Sequence, residues 1–163
     1  MKTLFKILIL PFCFSCLFLS CDDDYVRPKK DVRNAFKDMY PSAKFVEWEM
    51  EYGYYVVDFR DRGYEKEAWF DTSGTWLLTE TDLGRNLPSA ISVALSQTEY
   101  SGWRVDDVDY IEQKDKEPFY IVEIEKGELE RDLYFSESGQ LLDVQRGNGD
   151  YRPMSTGFKS TQI

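Results

Sequence analysis

Past residue 44 the chain alternates hydrophobic and polar positions at period two, and two short stretches break that rhythm with helical spacing. Val32, Ala35, Phe36 and Met39 recur at i, i+3, i+4 and i+7, which predicts a helix over 31–39. A second helix is expected over 88–96, where Pro88 stands near the start and Ile91, Ala94 and Leu95 share a face. Alternation marks half-buried strands, expected over 45–50, 54–59, 66–71 and 75–79, then over 105–111, 119–125, 129–136 and 140–145. Asp61-Arg62-Gly63, Asp71-Thr72-Ser73-Gly74 and Ser136-Glu137-Ser138-Gly139 supply the hairpin turns, with glycine available where φ must be positive.

The elements repeat. Tyr55-Val56-Val57-Asp58-Phe59 matches Tyr120-Ile121-Val122-Glu123-Ile124 at an offset of 65 residues. The same offset pairs Ala68-Trp69-Phe70 with Leu133-Tyr134-Phe135, Gly74 with Gly139, and Trp76-Leu77 with Leu141-Leu142. A run of matches at one offset points to internal duplication. The expected fold class is therefore α+β: a tandem repeat of a short helix followed by a four-stranded antiparallel β-meander, with units at 31–84 and 85–146. One helix per unit covers one face of its strands and leaves the other open. Tyr55, Val57, Phe59, Ala68, Phe70, Tyr120, Val122, Ile124, Leu133 and Phe135 are expected to face the helices. Tyr54, Val56, Asp58, Trp69, Ile121, Glu123 and Tyr134 fall on the opposite side, and a slip of one residue exchanges the two sets.

Upstream of the repeat the pattern changes character. Lys2 and Lys6 precede a run from Ile7 to Leu19 that is apolar apart from Ser15, too short to span ~30 Å of hydrocarbon as a helix. It ends at Leu19-Ser20-Cys21, and Asp22-Asp23-Asp24 follows. This segment resembles the lipobox of bacterial lipoproteins, in which a small residue precedes the cysteine that becomes the lipid-bearing N-terminus. The resemblance implies a signal peptide at 1–20, lipid attachment at Cys21, an acidic tether at 21–30 and a location in the cell envelope, at the outer membrane. The acidic run is similar to a surface-export signal of the Bacteroidetes. A diacylglycerol with an N-acyl chain exceeds the roughly two-chain threshold for stable anchoring. The stretch 147–163 lacks periodicity and is expected to be a flexible tail.

Charge and composition then narrow the chemistry. Acidic residues number 30 against 20 basic, for a net charge of −10. Setting aside Lys2 and Lys6, the only charges before Cys21, brings that to about −12. The balance disfavours nucleic acid, which is held by Lys and Arg on its phosphates. The chain has no histidine, and its three cysteines, Cys13, Cys16 and Cys21, all lie in or beside the leader. The commonest near-neutral acid/base group and the usual zinc ligands are thus missing from the folded part. No catalytic residue, metal site or cofactor is expected. Glu47, Glu49, Asp58 and Glu67 can share one sheet face, and a glycosidase needs two facing carboxylates. Charges alternating along a strand more often mark its solvated side.

The first strand Val46-Glu47-Trp48-Glu49, the second Tyr55-Val56-Val57-Asp58-Phe59 and the turn Phe70-Asp71 through Gly74 into Trp76 together resemble the PepSY-like family of β-lactamase-inhibitor-like lipoproteins of Bacteroides and relatives. The resemblance covers about residues 31 to 146; the second unit, with Val105-Asp106-Asp107-Val108, lacks the tryptophan. It implies a non-enzymatic binding fold that offers a concave, aromatic-studded sheet to another protein, and an inhibitory or regulatory role towards an envelope enzyme. Trp and Tyr are enriched at binding hot spots, and they also stabilise strands by cross-strand pairing. Trp69 and Tyr134, with Tyr54, Val56 and Ile121, form the expected binding face, for a protein partner or, in the alternative, a glycan.

Overall fold

The computed structural model describes residues 26–147. The expected leader at 1–20, the anchoring Cys21, the tether before Val26 and the tail from residue 148 lie outside the described residues. Within them the order is α1 (Lys30–Met39), β1 (Lys44–Glu51), β2 (Tyr54–Asp61), β3 (Tyr64–Phe70), β4 (Trp76–Asp82), α2 (Ser89–Ser96), β5 (Arg104–Gln113), β6 (Phe119–Lys126), β7 (Leu129–Ser136) and β8 (Leu141–Arg146). The mixed helix-and-sheet class is as expected. Pro88 is extended, with φ −57° and ψ 148°, so α2 begins one residue later than its proline suggests.

All eight strands form one antiparallel sheet in chain order. This corrects the expectation of two separate four-stranded meanders. β4 pairs with β5, placing Leu78 opposite Gln113 and Asp82 opposite Asp109, so α2 is an excursion from a continuous sheet. The physical reason is the edge: an unpaired β4 or β5 would leave a row of backbone groups without partners.

Local chemistry explains the tight hairpins. Tyr52-Gly53 (φ 50° and 87°) and Arg62-Gly63 (φ 52° and 94°) both carry positive φ at two successive positions. That is the primed turn whose twist matches the flanking strands. The β3–β4 turn is instead organised by Asp71, whose Oδ1 accepts from the backbone N–H of Ser73 at 2.8 Å and of Thr75 at 2.9 Å.

Both helices lie on the same face. Val32 and Phe36 of α1 pack on Tyr55, Val57, Phe59, Ala68 and Phe70. Ile91 and Leu95 of α2 pack on Val108, Val122, Ile124, Leu133 and Phe135. Val108 apart, these strand residues are ones that the alternation assigned to the helix side. Phe36 anchors the first cluster, edge-on to Phe59 with centroids 5.0 Å apart and edge-on to Trp48 at 5.4 Å. Each helix is also met by a glycine turn. Gly74 abuts the backbone of Asp31 and Val32, and Gly139 abuts the carbonyl of Ala90.

Candidate functional site

The register of the strands defines what the helix-free face carries. Val56, Trp69 and Leu78 are successive cross-strand neighbours there, as are Asp109, Ile121 and Tyr134. The expected face assignment of Tyr54, Val56, Trp69, Ile121 and Tyr134 therefore stands, but the expected exposure does not. Trp69 and Tyr134 are each 4% exposed, and Val56 and Ile121 are buried; Tyr54 alone is half-buried.

Among the described residues neither helix packs on these rings. Trp69 packs with Val56 and Leu78, lies 6.3 Å from the Tyr54 ring, and its Nε1–H donates to the Glu67 carboxylate. Tyr134 packs with Ile111, Phe119 and Ile121. Cross-strand neighbours sit only about 5 Å apart on a twisted sheet, so large side chains lean over one another and bury themselves. Trp69 and Leu78 line a hollow of about 540 Å³ beside the β5–β6 connection, which is tied down where Lys114 N–H donates to the Leu77 carbonyl at 2.8 Å.

A row of carboxylates also crosses this face. Glu47, Asp58, Glu67 and Glu80 stand opposite one another across β1, β2, β3 and β4. Asp82 stands opposite Asp109, and Asp107, Glu123 and Asp132 continue the row across β5, β6 and β7. The row deepens towards the middle: Glu47 and Asp58 are exposed, Glu67 and Glu80 half-buried, and Asp109 buried. Like charges directly opposite one another repel, and the protonation behaviour reflects that. Burial, then repulsion from Glu67, Asp107, Glu123 and Asp82, holds Glu80 up at about 7. Burial, then repulsion from Glu80, Asp107, Glu123 and Asp82, raises Asp109 to about 8. Asp58 and Glu67 are raised for the same two reasons, burial first.

Sequence reasoning grouped Glu47, Glu49, Asp58 and Glu67 but missed Glu80, Asp82, Asp107 and Asp109. The available signal was period two in β4 and β5, where acids recur at 80 and 82 and at 107 and 109. Asp82, Asp107 and Asp109 each bring one carboxylate oxygen within 4.8 Å of the others.

A cleft of about 550 Å³ opens over the β1–β4 part of the row, lined by the carboxylates Glu47, Asp58, Glu67, Glu80 and Asp82 and by Phe45, with the cations Arg60 and Lys66 also in its wall. Phe45 is 77% exposed with φ 54°, at the irregularity where β1 shifts register against β2 between Lys44 and Glu47. A bulky residue in the left-handed region costs about 1–3 kcal/mol, and such strain collects at functional positions. The Arg60 guanidinium lies 5.9 Å from the Phe45 ring centroid and pairs with Glu65. Among the described residues no helix is long and apolar enough to cross a membrane.

Comparison with known proteins places this architecture. A BLIP-like protein from Bacteroides fragilis is 39% identical, with a TM-score of 0.75 over 82% of this chain and 99% of its own. A DUF2874 family protein from Bacteroides ovatus is 29% identical, with a TM-score of 0.70 over 74% of this chain and 89% of its own. A protein from Bacteroides eggerthii, described as a putative periplasmic protein, is 26% identical, with a TM-score of 0.68 over 74% of this chain and 90% of its own. No curated protein is similar enough to this chain to count as a match. The family model described as "Putative beta-lactamase-inhibitor-like, PepSY-like" matches residues 53–143, from the second strand to the eighth. With its meander, its pair of helices and more than half its length accounted for in this way, the chain belongs to the PepSY-like family.

Proposed function

We propose that this chain is a non-enzymatic binding module of the cell envelope that takes a basic segment of a partner protein on its helix-free face. The observation that carries the reading is the row Glu47, Asp58, Glu67 and Glu80, in register across four strands and lining one open cleft. A face kept only for solubility gains nothing from aligning like charges. A Lys- or Arg-bearing segment laid along the cleft would relieve the repulsion and add charge-assisted hydrogen bonds. Phe45, exposed at the rim, supplies the aromatic anchor that Trp69 and Tyr134 were expected to supply.

The envelope location draws support from the lipobox-like Leu19-Ser20-Cys21 and from the periplasmic description of the Bacteroides eggerthii relative. Lipid on Cys21, placement at the outer membrane, and descent of the two helix-plus-four-strand halves from one duplicated unit belong to the same reading. Inhibition of an envelope enzyme is its specific form, in keeping with the inhibitor-like family description. A glycan-binding role would need Trp69 or Tyr134 to present a ring face to a sugar, and both are packed against neighbouring side chains.

The test is the binding of a labelled hexalysine peptide to the full chain, followed by fluorescence anisotropy at low and high salt. Binding that weakens with salt, and at least ~tenfold in the Glu47→Gln/Asp58→Asn/Glu67→Gln variant, is expected. Equal affinity of wild type and variant refutes the role of the row. Loss of affinity in Phe45→Ala at unchanged salt dependence is the further outcome expected if that ring is an anchor.

A further inference from the structure

We propose that Asp82, Asp107 and Asp109 form a binding site for one divalent cation of the calcium class, at the β4–β5 pairing. The site goes beyond the protein-binding reading and does not depend on it.

Geometry is the first argument. Calcium takes oxygen ligands at about 2.3–2.6 Å, so two ligands on opposite sides of the ion stand roughly 5 Å apart. The three carboxylates each place an oxygen within 4.8 Å of the others, inside that span. The backbone sets them there: Asp82 and Asp109 are direct cross-strand partners, and Asp107 precedes Asp109 by two residues on the same face. The donors thus sit on paired strands of one sheet and not on a loop.

The second argument is Asp109 itself. Its side chain is directed at the other two carboxylates, the residue is only 9% exposed, and no described residue donates a hydrogen bond to its carboxylate. Buried charges are normally paired or bound to metal, because isolating one costs several kcal/mol. The cations nearby do not serve it. Arg85 pairs with Asp106 at 2.9 Å, and Arg104 pairs with Asp106 at 2.8 Å and with Glu125. On its own face Asp109 meets Asp82 on one side and Ile121 on the other. A cation between the three carboxylates would balance Asp109 in its ionised form.

The donor set selects the ion. It is all oxygen, and the chain has no histidine, which disfavours zinc and the softer metals. Asp82 is exposed, so water has access to complete the coordination. Three carboxylates with an open side suit calcium, which accepts six to eight ligands in flexible geometry, better than magnesium, which demands a near-ideal octahedron at about 2.0–2.1 Å.

Isothermal titration of the chelator-stripped full chain in detergent with CaCl2 tests this, with MgCl2 and NaCl at matched ionic strength as controls. One site with Kd on the order of 10⁻⁴–10⁻³ M is expected, the range of extracellular calcium modules, with a matching rise in Tm. Asp109→Asn should weaken it at least ~tenfold by removing one charged ligand. Asp143→Asn, an exposed acid elsewhere on the same face, should leave it within about twofold. Asp109→Asn keeps the shape and removes a buried charge; were it to misfold by circular dichroism, the half-buried Asp107→Asn reads the same loss. No calcium-specific heat, or an Asp109→Asn titration equal to wild type, overturns the site.

Discussion

Gly139 and Gly63 offer a matched pair for testing whether the turns hold the helices. Their φ angles are 88° and 94°, so replacement by alanine strains the backbone of both alike, by about 1–2 kcal/mol. The change in unfolded-chain entropy is also common to both. What differs is the surroundings. A Cβ on Gly63 meets nothing within 4 Å, whereas one on Gly139 would stand 2.8 Å from the Ala90 carbonyl oxygen and 3.3 Å from the Ala94 Cβ. The first of these is closer than real Cβ contacts come, and the obstacle is the backbone of α2, which cannot swing aside as a flexible side chain would. Overpacking of that kind typically costs a further 1–3 kcal/mol or so. Gly139→Ala should therefore lose roughly 2–5 kcal/mol and Gly63→Ala roughly 1–2. Gly74→Ala, whose Cβ would be 3.0 Å from the Asp31 carbonyl carbon, belongs between them. Urea unfolding followed by tryptophan fluorescence, with m unchanged, reads the differences directly. Equal losses at Gly139 and Gly63 would show that the β7–β8 turn does not brace α2.

Three further outcomes follow from the core and the charged face. Phe36→Ala should cost about 3–5 kcal/mol in urea unfolding, because its ring is the hub between Tyr40, Trp48, Phe59 and Phe70; a loss below about 1 kcal/mol contradicts the packing. Glu80 is held up at about 7 against its ordinary 4.5, so its contribution is present below about pH 4.5 and lost as pH rises through 7. With chelator present, Glu80→Gln should gain up to about 3 kcal/mol at about pH 8.5 and nothing at about pH 4; an equal effect at both pH values refutes the burial and repulsion that hold this carboxyl up. Asp71 is held down at about 2, chiefly by the Ser73 hydroxyl, so its contribution exists above pH 3.8 and fades as pH falls to 2. Asp71→Ala should cost about 1 kcal/mol at neutral pH and little at about pH 2, as read by thermal unfolding at the two values.

Much of this architecture was legible because strands advertise themselves locally. The alternation of Tyr55, Val57 and Phe59 placed the helix side of β2 correctly, and Arg62-Gly63 announced its own turn. What was not legible was the pairing of β4 with β5. Their ladder closes across α2 and the connections around it, and no local pattern encodes which distant edge a strand will choose. Two errors share that single cause. Without the pairing the sheet reads as two separate meanders. Without it, too, Asp82 has no reason to meet Asp109, and the acids of β4 and β5 look like the solvated sides of unrelated strands. The burial of Trp69 and Tyr134 was missed for a different reason. A face with no helix on it was equated with an open face, whereas large side chains on a twisted sheet cover one another.

The acidic row invites a comparison between what stability alone would select and what is present. A solvated sheet face is served best by mixed signs, since opposite charges across strands attract and like charges repel by similar amounts. Here Glu47, Asp58, Glu67 and Glu80 align with no basic residue between them, and Asp109 is buried among four more carboxylates. In the free protein protonation relieves part of the repulsion, with Glu80 held up at about 7 and Asp109 at about 8. Any cation bound to this face, whether a lysine side chain or a metal ion, recovers that relief as binding free energy. The repulsion that lowers the stability of the free chain is thus the same quantity that would favour a positively charged ligand. Weakening it by Glu80→Gln should stabilise the protein and reduce its affinity for hexalysine together; stabilisation with undiminished affinity would separate the two and leave the row a structural burden without a binding role.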